Sequence, residues 1–442
     1  MPESSFDPQL CAKLHNRILE HAWVGAGRDL ASLPSTSWWE ESSPITFDLA
    51  SRLSPKLILF LRLARSVIWR PNDADFHFFY YLRGLASKKD LLRFYMLESR
   101  GDRYVWLYPG STVSSDDEAG ILFDQKTDLA AFFPDWECVT FAEEKFPWKP
   151  LQHILTAYLE MIDERKVTTY TDKDSVLFKH SEPCFPWQMH QYTQCDIEKA
   201  TTAFTRLINA IEYRIPSDRP THTPLSSNWV TELPYSNSVL DECFVPRDSF
   251  VRSFLSALPA RNINFRHIAP GIRIQSPSEF ISQPFADRRD NFRRLSKNDQ
   301  NPHSIPVLLF RGEGLNISPW IRPWFPDEKA LDIPVGLYSE SVCNYWAVDF
   351  GNGSRLLLPF DLGAKGARAG GSAELYQFFN FSGFQPMDST GVQIHKVFLN
   401  WAERVETGDW EVNEDGVAGG IEKFKEADTS GHWTKYQIPL SW

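Results

Sequence analysis

Asp248-DSFVRSFLSALPAR-Arg261, continued by NINFRHIAPGIRIQSPSEFISQPF (Asn262–Phe285) and closed by IPVLLF (Ile305–Phe310), is the stretch on which the fold turns. Phe250, Phe254, Leu255 and Leu258 recur at helical spacing, Asp248 stands where a helix cap is expected, and Pro259 ends the run. The segment after it is apolar and rich in β-branched residues. It reads as a strand entering a Gly/Pro/Ser loop, and IPVLLF as a short buried strand. Strand-like runs with polar loops at their ends are where a mixed sheet presents its chemistry. The expected fold class is α/β, with mixed sheets and flanking helices.

Outward from this centre, the N-terminal side reads as a helix over Asp7–Trp23 with Leu10, Leu14, Ile18 and Leu19 inward. A Ser/Trp-rich loop follows, then a basic amphipathic helix over Pro55–Trp69. On that helix Arg62 and Arg65, three apart, share a face. FHFFYYL and RYVWLYPGS read as strands. Lys149–Arg165 reads as a helix, and so does a segment starting at Asp196 as N-cap, with Ala200, Phe204, Leu207, Ile208 and Ile211 inward. Pro216, Pro220, Pro224 and Pro234 mark 214–238 as a linker or crossover. The expected division is therefore an N-terminal lobe at 1–213 and a C-terminal lobe at 239–442 with its acidic tail docked on the body. PLQHILTAYLEMIDERKV can be laid on VQIHKVFLNWAERVETGDW at an offset of 243, pairing Leu151 with Ile394 and Tyr158 with Trp401. Duplication is one explanation; the general likeness of amphipathic helices is the other.

The 442 residues suffice for a large core, and 16 Trp with 32 Phe argue for a globular chain. Six scattered cysteines without a CxxC pair fit reduced thiols and a cytoplasmic location. MPESSFDPQL lacks the regions of a signal peptide, and LILFLRLARSVIW is too short and too charged for a membrane span. A net charge of −11 speaks against generic nucleic-acid binding, DNA included. Charge is nevertheless uneven: Arg52–Arg103 holds eleven basic residues against five acidic, and Arg261–Lys297 eight against three. Such regions can meet a polyanion or be solvated faces balanced elsewhere.

Among candidate chemical groups, Ser276 and Ser278 lie in a loop after a strand, where a hydroxyl and backbone amides can serve acyl transfer. Ser278 with Glu279 equally reads as a helix N-cap. His267 on the same strand is a candidate base or a satisfied structural histidine. Ser111 in LYPGST has the same ambiguity. No GxSxG elbow, P-loop or dinucleotide fingerprint occurs, and GAKGARAGG reads as a mobile loop. The eleven His form neither HExxH nor HxH, so neither a metal nor another cofactor is expected. GLYSESVCNYWAVDFGNGSRLLLPFD reads as two strands around a tight GNG turn. Tyr338, Glu340 and Asp349 there can hold a guanidinium or be ordinary edge-strand polarity.

RHIAPGIRIQSPSEFISQPF, PVLLFRGEG, VGLYSES, LNWAERVETGDWEVNEDGVAGGIEKFKEADT and PWKPLQHIL…YLEMIDERKV resemble a family of filamentous-fungal proteins often encoded beside secondary-metabolite genes. Some similar proteins are arginine-containing cyclodipeptide synthases, which join two aminoacyl-tRNAs into a diketopiperazine. The resemblance implies acyl transfer from arginyl-tRNA and a second aminoacyl-tRNA, with no cofactor, no DNA and no membrane. Roles would then fall to Ser276 or Ser278 with His267 in catalysis, and to Tyr338, Glu340 and Asp349 around the guanidinium. Arg62, Arg65, Arg288, Arg289, Arg293 and Arg294 would meet tRNA phosphates. NYWAVDFGNGSRLLLPFD also resembles, faintly, the SUKH-type regulatory and immunity proteins, which would make the chain a non-enzymatic interaction module. A tailoring enzyme for another small metabolite is a third expectation, and the oligomeric state is open.

Overall fold

The computed structural model describes residues 6–44, 47–67, 76–80, 82–92, 101–110, 120–133, 148–170, 185–216, 231–285, 306–314, 333–344, 347–360, 362, 374–375, 392–436 and 438. The chain is α/β with several mixed sheets. Helix α1 (Pro8–Gly25) starts where Asp7 accepts hydrogen bonds from the Gln9 and Leu10 amides, with Pro8 in the first turn. Its buried stripe is Cys11, His15, Ile18, Leu19 and Ala22, rotated from the expected face, and Leu10 is 42% exposed. The rotation is tolerated because His15 is fully satisfied. Its Nε2–H donates to the Arg65 carbonyl at 2.8 Å, its Nδ1 accepts from the Tyr108 hydroxyl at 2.8 Å, and the ring stacks on Phe78.

Short helices α2 (Trp38–Glu41) and α3 (Phe47–Arg52) lead to α4 (Pro55–Leu63). The expected helix to Trp69 stops at Leu63, because Ala64 turns extended and Arg65 bridges to Ser37. Arg62 and Arg65 therefore do not share a helix face. β1 (Tyr104–Pro109), β2 (Gly120–Asp124) and β3 (Leu129–Phe133) form an antiparallel meander that leads to helix α5 (Leu151–Asp163). β4 (Val167–Thr169) then pairs with β5 (Trp187–Met189). FHFFYYL forms isolated bridges rather than a strand in its described part.

Helix α6 (Gln194–Arg214) is capped by Thr193, and the expected cap, Asp196, is the third residue of the capping box, reaching back to the Thr193 amide. β6 (Thr231–Leu233) and α7 (Asn237–Glu242) precede α8 (Phe250–Ala257), whose cap is Ser249 rather than Asp248. The apolar run after Arg261 is not one strand. It splits into β7 (Arg261–Ile263), β8 (His267–Ala269) and β9 (Ile272–Arg273), because Pro270–Gly271 turns the chain back. Gly271 sits at φ +65, and a Cβ there would lie 2.4 Å from the Ile421 amide nitrogen. Helix α9 (Pro277–Phe280) follows, then β10 (Val307–Gly312), β11 (Gly336–Asn344) and β12 (Ala347–Leu357). The GNG segment lies inside β12. The register slips between Glu340↔Gly353 and Val342↔Phe350, which makes it a bulge and not the hairpin turn.

β13 (Glu374–Leu375), β14 (Val392–Gln393), α10 (Ile394–Glu406), β15 (Val412–Asn413), β16 (Gly416–Val417), a 3₁₀ segment (Ile421–Asp428) and α11 (Trp433–Tyr436) complete the chain. One sheet runs in the order β13-β12-β11-β10-β9-β8-β16-β15, antiparallel except for the parallel pair β8/β16, with β14 added beside β12. Phe204 of α6, Phe254 of α8 and Phe398 of α10 pack on one another and on Phe310 of β10, so three helices cover this sheet. Ile421, Phe424 and Ala427 of the acidic tail are buried in the same cluster. The apolar residues form two clusters, one drawn from Phe6–Met189 and one from Ile197–Tyr436. The two clusters part between Met189 and Ile197, and 217–230 of the Pro-rich segment lies outside the described residues. α5 and α10 are offset by 243 residues at both ends; among the described residues α5 follows three antiparallel strands and α10 follows five. Among the described residues, Cys11, Cys195 and Cys243 are free thiols and no helix is long and apolar enough to cross a membrane.

Burial pushes His15 down to about 4, against a smaller opposing effect of the Arg65 carbonyl. Unfolding frees this imidazole to titrate near its ordinary value. The unfolded chain then binds more protons than the folded one between about pH 6.5 and pH 4, and stability falls as pH falls through that window. The expected loss from His15 is about 3 kcal/mol. Urea midpoints of the native protein and of His15→Gln, compared at neutral pH and near pH 4, should show the native slope reduced in the variant.

Candidate functional site

Three strands bring basic side chains into one row. His267 of β8 pairs with Arg273 of β9, and Arg273 pairs with Arg311 of β10, so all three lie side by side across the sheet. The row is closed at its β8 end by β16. The Asp415 carbonyl accepts from the Arg266 and His267 amides at 3.0 Å each, and Gly416 stands opposite His267. Gly416, at φ +102, permits this approach, since a Cβ there would lie 2.2 Å from the His267 carbonyl oxygen.

Acidic side chains then gather on the row. His267 Nε2 lies 2.8 Å from Glu313 Oε1, and Nδ1 lies 3.4 Å from Asp415 Oδ2. Of the two, only the contact to Glu313 has hydrogen-bond geometry, with the carboxylate accepting from the ring N–H. Arg266 approaches Asp415 at 3.9 Å, and Arg273 Nη1 lies 2.7 Å from Glu279 Oε1. Burial opposes ionisation of Glu279, but the Ser276 amide and the Arg273 guanidinium hold its carboxyl below the ordinary value. Among the described residues Arg311 makes no ion pair. The Glu313 and Asp415 side chains are well exposed, so these pairs contribute at most about 1 kcal/mol each. Their value is positional: an imidazole with an acid on each side can accept, hold and return a proton.

The expected nucleophiles have local partners. Ser276 is the N-cap of α9 in a capping box with Glu279, which corrects the assignment of the cap to Ser278. Its hydroxyl lies 3.2 Å from Glu279 Oε2 and 3.1 Å from the Ser278 hydroxyl. His267 makes no hydrogen bond to either serine. Tyr338 is buried and donates to the Pro334 carbonyl at 2.6 Å, and burial raises its phenol. Glu340 and Asp349 lie on β11 and β12, with side chains outside the described residues. Arg62 lies over the Trp39 ring at 5.2 Å, and Arg65 pairs with Glu20 at 3.1 Å, so neither is a bare cation. Ser111, Arg288, Arg289, Arg293 and Arg294 lie outside the described residues. The partners that sequence reasoning missed are Glu313 and Asp415. Their one local signal is position, each next to a glycine at the end of a short strand.

A separate groove of about 1160 Å³ follows the outward face of α6 between Pro259 and Glu406. Thr205, Asn209 and Tyr213 line it, the last 92% exposed, and Arg206 is held there by a two-pronged pair with Glu406. Among the described residues no group of three or more His, Cys, Asp and Glu is arranged to hold a metal. No protein-family model matches the chain, and neither a curated protein nor a solved structure is significantly similar to it.

The cap assignment carries a stability prediction. Ser276→Ala should cost about 1 kcal/mol in a denaturant titration, whereas Ser278→Ala should fall within about 0.5 kcal/mol of the native protein.

Proposed function

We propose that this chain is an aminoacyl-tRNA-dependent acyltransferase, a cyclodipeptide synthase that uses arginine. Its reacting centre would be the Glu313–His267–Asp415 cluster with the adjoining Ser276 turn. The observation that carries the reading is convergence. RHIAPGIRIQSPSEF, PVLLFRGEG and the WEVNEDG part of the acidic string are separate in the chain, resemble the same family, and meet at His267.

In this reading Ser276 Oγ attacks the ester carbonyl of arginyl-tRNA and its proton passes to Glu279, the carboxylate it already touches. The C–O bond to the tRNA breaks, and the departing 3′ oxygen takes that proton. The amine of the second aminoacyl group then attacks the acyl-serine ester and gives a proton to the His267 cluster; the acyl C–O bond to Ser276 breaks, and the serine oxygen is reprotonated through Glu279, the group in contact with it. Attack by the arginine amine on the remaining ester closes the ring; the C–O bond to the second tRNA breaks, and its 3′ oxygen takes a proton back from the His267 cluster. The exposed Tyr213 ring in the α6 groove supports the reading as a surface on which an unpaired base can stack.

A second reading, an interaction module of the SUKH-like kind, is favoured by one observation: Ser276, His267 and Tyr338 all find partners within the fold. Incubation with arginyl-tRNA and a mixture of other charged tRNAs separates the two. The synthase reading expects a cyclic dipeptide by mass spectrometry, about a hundredfold or more less of it with His267→Asn, and none with Ser276→Ala in a folded variant. Absence of product together with absence of salt-sensitive tRNA binding overturns the synthase reading.

A further inference from the structure

Helix α10 begins inside the fold without a side-chain cap. Its N-cap residue, Gln393, makes no capping hydrogen bond, and Gln393, Ile394 and His395 are all buried. The amide end of a helix carries partial positive charge and donors that need acceptors. The first turn adds two basic side chains. His395 is 9% exposed and Lys396 is half-buried, and among the described residues neither makes a hydrogen bond or an ion pair.

Charge of both signs faces this turn from the neighbouring elements. Glu160 and Glu164 come from α5 and its end, and Asp196 and Lys199 from α6; Glu164 and Asp196 each already hold a lysine. Lys199 Nζ lies 2.5 Å from Glu164 Oε1, and Lys166 Nζ lies 3.4 Å from Asp196 Oδ2. Those pairs leave the two α10 bases without a counter-charge in contact. They also leave two acceptors over: Glu164 Oε2 and Asp196 Oδ1 are buried with no hydrogen-bond partner. The cluster therefore lacks an anion on its basic side and a donor on its acidic side.

We propose that the amino end of α10 is a binding site for a phosphate group that carries a hydroxyl, either inorganic phosphate or a phosphate monoester. His395, Lys396 and the first-turn amides would hold its charged oxygens, and its P–OH would donate to Glu164 or Asp196. A protonated phosphate supplies both missing partners in one small group. Sulfate and the phosphodiesters of an RNA strand have no hydroxyl to donate and would leave the acidic side unsatisfied. The titration behaviour agrees. Burial, reinforced by Lys396 and Lys199, pushes His395 down to about 4, and burial with Lys199 pushes Lys396 down to about 8. A bound anion favours the charged forms, so affinity should fall as pH rises through about 8. This site is independent of the acyl-transfer reading and stands or falls without it.

Isothermal titration of the full chain at about pH 5.5, where a monoester still keeps its P–OH, with inorganic phosphate, methyl phosphate, sulfate and a short single-stranded oligoribonucleotide lacking terminal phosphates tests it. Saturable binding of inorganic phosphate is expected, with sulfate and the oligoribonucleotide about tenfold weaker or more at this site. Methyl phosphate separates the sources: binding as tight as phosphate identifies a monoester site, and weaker binding a free-phosphate site. Lys396→Met should weaken phosphate about tenfold without lowering the melting temperature, because the amine it removes has no partner to lose. Glu164→Gln should narrow the preference for phosphate over sulfate, since an amide offers a donor where the carboxylate does not. No saturable phosphate binding below about 10 mM, native-like binding by folded Lys396→Met, or equal binding of sulfate each overturns the proposal.

Discussion

The Lys166–Asp196 pair is the constraint on which the arrangement of the two apolar clusters rests. Both side chains are almost wholly buried and lie 3.4 Å apart. Desolvation lowers the Lys166 ammonium, and Asp196 is the first charge opposing that. An ammonium so placed needs a fixed counter-charge, and removal of one partner typically costs about 3–5 kcal/mol. The counter-charge here is also the residue that closes the capping box of α6. Neutralising a lysine at the end of the first cluster therefore sets the starting point of the helix that opens the second. From that start α6 carries Ala200, Phe204, Leu207, Ile208 and Ile211 into the core beneath the large sheet.

The same economy governs the sheet face at His267. Groups with chemical potential are also structural members. Ser276 caps α9, Glu279 answers both Ser276 and Arg273, and Asp415 ties β16 to β8 through its carbonyl while its carboxylate faces His267. A site built this way is rigid, because each side chain is held by a contact the fold needs anyway. It also means that loss of activity on substitution has to be read beside stability. The proposed roles rest on two kinds of proton acceptor. Glu279 serves the serine it already caps, and the carboxylate-flanked imidazole serves amines arriving from outside.

Helix α10 connects the two regions. Its middle, at Phe398 and Trp401, is apolar and packs on α6 and on the segments after Glu406. Its far end receives Arg214, which donates to the Val405 carbonyl at 2.7 Å, and Arg404, which pairs with Asp409. Its near end has no side-chain cap, and its first turn carries His395 and Lys396.

The helices at Leu151–Asp163 and Ile394–Glu406 were legible as amphipathic helices, the first expected over Lys149–Arg165, because an amphipathic period is a local property. The existence of the strand after Pro306 and of the helix after Asp7 was legible in the same way, though the inward face of that helix was not. Caps were legible only as a neighbourhood. Asp248 and Ser249, Thr193 and Asp196, and Ser276 and Ser278 are pairs of acceptable capping residues. Which of each pair serves depends on where the backbone turns from extended to helical. The end of α4 was invisible, since nothing in LRLARSVIW stops a helix; the bridge from Arg65 to Ser37 stops it. The partners of His267 were invisible for the same kind of reason. Glu313 and Asp415 reach it through the registers of β9/β10 and β8/β16, and a register is decided by which apolar faces find each other across the sheet. Composition and period determined that this chain forms helices and strands with buried aromatic faces. Only the packing of those faces decided which acid met which base.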